Sequence, residues 1–479
     1  MALNNNNIRQ SIATNQTMRR PTDYHQGVSQ IISDRMPDEI ELSRTDQLFE
    51  CLKSFNLFET DEEMQLRCKV LDGINKLSQR WIRELLLQKK MPPEIANQCQ
   101  AKIFTFGSYR LGVHNRGADI DTLLVAPKHI DRDDFFDTFQ AALLNQMEGV
   151  EYVRSVRGAY VPVLKTKIRG IELDILFSTL SRGTIPQDQE LSDENLLRSL
   201  DLPSIRSLNG CRVTDDILKL APNNESFKLA LRAIKLWAKQ RGIYSNALGY
   251  LGGVSWAILI ARTVQLYPKA TAATIVNKLF YVFSSWNWPK PVLIKPLSDI
   301  DLGLPRWDPR QNPSDCHHLM PIITPSYPEQ NSTFNVTRST RSIITSQFEQ
   351  AKEITDEIIK GTKTWDVFFE PIDFFGLYKS FLVLTVSHQP EWVSLVESNI
   401  RRLVSKLEEH TEIKMVHTYP YPYDSPREDC TDITWCIGLQ FIKPKVSVNL
   451  SQDVHDFKNL STYLSDPLSY LIVLNSPPD

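Results

Sequence analysis

The stretch 104-FTFGSYRLGVHNRGADIDTLLVAP-127 restricts this chain more than any other, because two aspartates, Asp119 and Asp121, open an apolar run two residues apart. In a strand successive side chains alternate faces, so both carboxylates point one way while Ile120 and Thr122 point the other. On a half-buried sheet such a pair repels and raises one pKa. A divalent cation removes that penalty.

A second strand, 171-IELDILFS-178, repeats the pattern. Ile171, Leu173, Ile175 and Phe177 form one apolar face, which leaves Glu172 and Asp174 on the other. If the two strands are neighbours, Asp174 completes a triad with Asp119 and Asp121. Three hard oxygen ligands suit Mg²⁺, which keeps waters and substrate phosphates in its other positions. Upstream, Gly107 and Ser108 end the run IFTF and open a predicted helix, SYRLG. Glycine lets a phosphate approach the backbone, serine donates a hydroxyl, and helix N-terminal N–H groups attract the anion. Each element alone has a plainer reading: GS is a common turn, and a lone D-x-D is more often a solvated strand edge. Taken together and in this order, chance is the poorer account.

At 479 residues, and roughly 150 residues per domain, about three domains are expected. A net charge of −3 excludes a polybasic coat, so any polyanion must be held by local patches. The seven cysteines are scattered without a C-x-x-C pair, which argues against a disulfide framework or a zinc site and for a reducing compartment. The N-terminus lacks a secretory apolar core, and its Asn/Gln/Ser bias predicts a disordered tail. The apolar stretch 247–267 is interrupted by glycines and Arg262 and suits a buried helix rather than a membrane span.

Between about 101 and 180 short β-rich runs surround one helix, DDFFDTFQAALLNQM, which predicts a mixed-sheet α/β unit. After Pro203 the chain turns helical, including 225–242 with Gly242 as its C′ residue. Residues 286–330 are Pro-rich and predicted irregular. The last hundred residues read strand, helix, strand, strand, helix, the ferredoxin-like order of single-strand RNA-recognising sheets.

The strand–GS–DxD–strand pattern resembles the nucleotidyltransferase superfamily that includes DNA polymerase beta. FGSYRLGVHNRGADIDTL, SLNGCRV (207–213), LRAIKLWAKQRGIYSNALGYLGGVSWA (231–257) and NPSDCHHLMPIITPSYPEQNSTFNV (312–336) are similar to the eukaryotic nuclear poly(A) polymerases, over roughly residues 40 to 450. The resemblance implies an α+β multidomain protein: a tail at 1–38, a helical segment 39–66 packed with the central domain, a nucleotidyltransferase domain at 67–202, a helical central domain at 203–363 and an RRM-like RNA-binding domain at 364–479. It implies template-free transfer of AMP from ATP to an RNA 3′-hydroxyl, with Mg²⁺ (or Mn²⁺) as cofactor.

Residue by residue, the resemblance makes Asp119, Asp121 and Asp174 the metal ligands. It puts Phe106, Gly107, Ser108 and Asn115 by the phosphates, Lys235 on the triphosphate, and Tyr244, Gly253 and Val254 against the nucleotide. Asn209 would approach the ribose, Thr324 the base, and Tyr160 and Asn335 the RNA. On sequence alone, Lys228, Arg232, Lys235 and Lys239 form only the solvated face of an amphipathic helix. Two positions depart from the family: Tyr160 stands where Phe is expected, and Asn115 where Thr or Gly is. The resemblance further implies a monomer in the nucleus, with a cytoplasmic location as the alternative, working with 3′-end processing factors and no membrane. The near-neutral charge predicts weak, salt-sensitive RNA binding unless a partner supplies the grip. A uridylyl-adding relative and an inactive RNA-binding scaffold are the alternatives.

Overall fold

The run beginning at Asp119 forms strand β2 (Ile120–Pro127), and the hydrophobic alternation decides what covers it. The computed structural model describes residues 28–387, 390–426, 431–443, 448–461 and 468–474. β1 (Lys102–Thr105), β2, β3 (Val150–Val156), β4 (Val163–Ile168) and β5 (Ile171–Leu180) form one mixed sheet in the order β1-β2-β5-β4-β3. β2 and β5 run parallel and every other pair is antiparallel. Ile120, Leu124, Leu173, Ile175 and Phe177 face a core shared with helix α2 (Asp61–Gln88) and the helical segment 132–146. Leu123, Val125, Leu176 and Leu180 face α3 (Leu202–Leu220) through Ile205, Leu208 and Cys211. The other end of α3 puts Val213 and Ile217 into the central core, so this helix joins the two bodies.

Helices α4 (Asn224–Gln240), α5 (Gly253–Leu266), α6 (Ala272–Ser284) and α7 (Arg338–Lys360) build that central core around aromatic rings. Trp237 stacks on Phe368 at 5.8 Å and meets Phe280 edge-on at 4.7 Å. Buried rings of this kind each contribute on the order of 2–3 kcal/mol. Trp365 and Phe368 thus belong to the central core, although the sequence boundary at 363 put them in the next domain. α1 (Glu39–Ser54) packs on the same core through Leu48 and Leu52, and α2 packs on the core of the catalytic sheet through Leu66, Val70 and Ile74.

Residues 1–27 of the expected tail lie outside the described residues. Residues 28–38 are not tail: the N–H groups of Ile32 and Ser33 donate to the carbonyl of Leu266, and Ser29 Oγ accepts from the guanidinium of Arg262. Arg262, the one charged residue of α5, is buried there and needs polar partners, of which Gln265 Oε1 at 3.2 Å is another; burial alone holds its pKa down at about 10. No helix among the described residues is long and apolar enough to cross a membrane.

The C-terminal body holds β6 (Ser380–Ser387), α8 (Pro390–Leu407), β7 (Ile413–Thr418), β8 (Tyr423–Pro426), β9 (Thr431–Phe441) and α9 (Ser451–Ser461), the predicted order with the short strand β8, not foreseen, paired on β9. A final strand, β10 (Leu468–Leu474), was not foreseen and completes a sheet ordered β10-β6-β9-β7, the ferredoxin-like arrangement. One face packs on α8 through Leu382, Leu384, Trp435 and Ile437. The centre of the opposite face, which an RNA-recognising sheet leaves open, is covered by Phe374, Phe375 and Tyr378 on Phe381, Val383 and Cys436. Gly438 has no side chain where the Tyr378 ring lies.

Candidate active site

Parallel pairing puts Asp121 directly beside Asp174, and Asp119 one residue before the strand joins them. One carboxylate oxygen from each of the three lies within 4.8 Å of those of the other two. Burial, then the charges of Asp119 and Asp174, push the Asp121 carboxyl up to about 7. Three converging hard oxygen donors, whose mutual repulsion and burial a cation would relieve, fit a divalent cation of the Mg²⁺ class.

Lys165, opposite Asp174 across the β4–β5 ladder, donates to both its carboxylate oxygens at 2.7 and 3.0 Å. Sequence reading missed this counter-ion. The signal was present, because alternation in VPVLKTKI puts Lys165 and Lys167 on one face, beside Glu172 and Asp174 once β4 and β5 pair.

A cleft of about 410 Å³ opens beside the carboxylates, between the first sheet and α4. Of the residues picked from sequence it gathers Gly107, Ser108, Asn115, Asp119, Asp121, Lys235, Tyr244, Gly253 and Val254. The Oδ1 of Asn115 is buried without a hydrogen-bond partner, an acceptor left for something polar in the cleft. Gly253 is needed for space: a Cβ there would stand 2.9 Å from the Tyr244 hydroxyl. Gly107 opens a single helical turn at φ +62° and donates its N–H to Thr214 Oγ1 at 3.1 Å. Thr214 also lines the cleft and was not picked.

The basic face of α4 is not merely solvated, which corrects the reading from sequence alone. Lys235 is only 8 % exposed, and its ammonium donates to the Val113 carbonyl at 3.1 Å. Burial, helped by Lys239 and Arg232, draws its pKa down to about 8. Arg232 donates to the carbonyls of Gly112 and His114 at 2.8 and 2.6 Å, and Lys239 lines the cleft beside Tyr244.

The remaining residues sit outside the lining of the cleft. The ring of Phe106 packs on Gly210, Asn209 accepts from Arg212 at 3.4 Å, and Thr324 Oγ1 accepts from the Gln330 N–H at 2.9 Å. Tyr160 is 71 % exposed with the Arg206 guanidinium 3.7 Å over its ring. Asn335, by contrast, is 8 % exposed and donates to the backbone carbonyl and the side chain of Asn246.

Three family models cover most of the chain: the poly(A) polymerase nucleotidyltransferase domain over residues 27–221, the poly(A) polymerase central domain over 226–371 and the poly(A) polymerase predicted RNA binding domain over 373–432. The first of these includes residues 28–38, which pack on α5 of the central body, and α3, which joins the two bodies. Poly(A) polymerase pla1 of Schizosaccharomyces pombe is 44 % identical over 403 residues, 83 % of this chain and 71 % of its own length. Nuclear poly(A) polymerase 1 of Arabidopsis thaliana is 42 % identical over 404 residues, 83 % of this chain and 56 % of its own length. A solved structure of Cid1 with its short product ApU aligns at a TM-score of 0.48 with 13 % identity, over 70 % of this chain and 100 % of that one. With three successive domain models in register and more than two thirds of the first relative spanned at 44 % identity, the chain belongs to the poly(A) polymerase family.

Proposed function

We propose that the cleft is the catalytic centre of a poly(A) polymerase that transfers AMP from ATP, without a template, to the 3′-hydroxyl of an RNA and releases pyrophosphate. The observation that carries the reading is the meeting of Asp119, Asp121 and Asp174 at the rim of a cleft whose opposite wall carries Lys235 and Lys239. Acid on one side and base on the other suit a metal-bound triphosphate laid between them.

Asp119, Asp121 and Asp174 would hold divalent cations, Mg²⁺ or Mn²⁺, which when bound lower the pKa of the attacking hydroxyl and offset charge on the α-phosphate. Lys235 and Lys239 bind the outer phosphates, and Ser108 with the N–H groups of its turn cradles them. Tyr244, Gly253 and Val254 form the wall for the nucleoside, with Asn115 as a polar contact. Outside the lining of the cleft, Phe106 would border the phosphates, Asn209 the ribose and Thr324 the base. Tyr160, exposed beside the guanidinium of Arg206, offers a stacking platform to a base of the RNA. Asn335 acts through Asn246, which it holds by two hydrogen bonds. The protein works in the nucleus as a monomer, with 3′-end processing factors supplying RNA specificity.

The test is extension of a labelled unstructured RNA with each nucleoside triphosphate separately, in Mg²⁺, beside Asp119→Ala. A ladder with ATP alone, absent in the variant, is the expected result. Extension with UTP instead would identify a uridylyl-adding enzyme, and RNA binding without turnover a scaffold.

A further inference from the structure

β2 begins only at Ile120, so the strand ladder fixes the backbone of Asp121 and leaves Asp119 to the loop that delivers it, residues 111–118. Cations hold that loop by its carbonyls. Arg232 takes those of Gly112 and His114, and Lys235 takes that of Val113, all from α4. The carbonyl next to Asp119, that of Ala118, is taken by Arg67 of α2, whose Nη2 donates to it at 2.6 Å.

Arg67 is only 3 % exposed, and its guanidinium is gripped by Glu59, 4 % exposed, through Nε at 2.7 and 2.9 Å and Nη2 at 2.6 Å. Glu59 also meets His114 Nε2 at 3.1 Å. A buried ion pair of this kind is poor evidence for stability, since apolar residues of the same volume often do as well. What an apolar pair cannot do is anchor a peptide plane. The hydrogen bond from Arg67 fixes the Ala118–Asp119 peptide plane, and with it the direction in which the Asp119 carboxylate leaves the backbone.

We propose that Arg67, clamped by Glu59, is a positioning residue for Asp119 and acts through the carbonyl of Ala118. This rests on the active-site reading above. Groups outside the ligand shell that orient metal ligands are worth about 10–100-fold in metal affinity or activity. Arg67→Met should therefore bind Mn²⁺ about tenfold more weakly, read by electron paramagnetic resonance on the RNA-free protein. Its kcat should fall with little change in the KM for ATP, and added Mn²⁺ should restore most of the loss.

Circular dichroism decides whether Arg67→Met is folded. If it is not, Arg67→Lys, which cannot satisfy Glu59 and Ala118 together with a planar fork, takes its place and should lose at least about threefold in Mn²⁺ affinity. Unchanged Mn²⁺ affinity in whichever folded variant is read overturns the role of Arg67 and leaves the active-site reading intact. If the unaltered protein binds no Mn²⁺, that reading itself fails.

Discussion

The Oδ2 of Asp121 occupies the space that a Cβ at Gly107 would need, so the phosphate-side turn and the metal-side carboxylate share one volume. Gly107 also holds φ +62°, a region that costs other residues about 1–2 kcal/mol. Gly107→Ala is therefore expected to displace Asp121 and to lower kcat by roughly 100-fold, the scale of an ångström misplacement. Urea denaturation should show a loss of about 1–2 kcal/mol. A variant with normal kcat would mean that the carboxylate has room to move without consequence.

Asp119→Asn should remove activity and yet stabilise the metal-free protein at pH 8. Asp121 has a folded pKa of about 7, above the 3.8 of an ordinary aspartate, so folding takes up a proton between those values. The stability this contributes is present below pH 4 and is lost as pH rises through 7. Burial is the larger cause and the charge of Asp119 the next, so its removal should return about 1 kcal/mol at pH 8 and almost nothing at pH 4. Saturating Mg²⁺ should reverse the order, stabilising the unaltered protein more than the variant. Denaturation midpoints at the two pH values, with EDTA or with Mg²⁺, decide it.

Most of the triad was legible in the sequence because strand alternation is strict: once Asp121 and Asp174 are on strands their faces follow, while Asp119, expected on the same strand, stands one residue before β2, and the pairing of β2 with β5 remained open. The start and stop of α4 were legible for a similar local reason, with Gly242 at φ +66° ending the helix. Burial of its basic face was not. Arg232 meets a carbonyl 118 residues away, and Gly107 finds Thr214 at a separation of 107, contacts that helical periodicity cannot anticipate. The docking of Ser29 on Arg262, 233 residues apart, was hidden in the same way behind a polar composition that reads as tail.

Lys235 titrates near pH 8, which makes ATP binding pH-dependent. Below that value the ammonium is charged and attracts the triphosphate; above it the charge is lost. The KM for ATP should rise with pH above about 8 in the unaltered enzyme. Lys235→Arg, which stays charged, should flatten that rise, and Lys235→Met should show a KM raised roughly 10–100-fold that no longer follows pH in this range. A rise that persists in the Met variant would assign the titration to another group.

Tyr378 separates the architecture of the C-terminal sheet from the use made of that architecture elsewhere. Its hydroxyl meets His417 Nδ1 at 2.7 Å, and burial holds this histidine neutral, with a pKa pulled down to about 3. The other ring nitrogen of His417 already lacks a partner. Tyr378→Phe would leave both nitrogens unpaired in a dry site, a loss of about 1–3 kcal/mol by chemical denaturation. RNA affinity should not move, because the aromatic cover on Phe381 and Val383 keeps bases off the sheet centre. Were the sheet instead the stacking platform that its topology suggests, loosening that cover would change RNA affinity in a filter-binding assay at a temperature where the variant is fully folded.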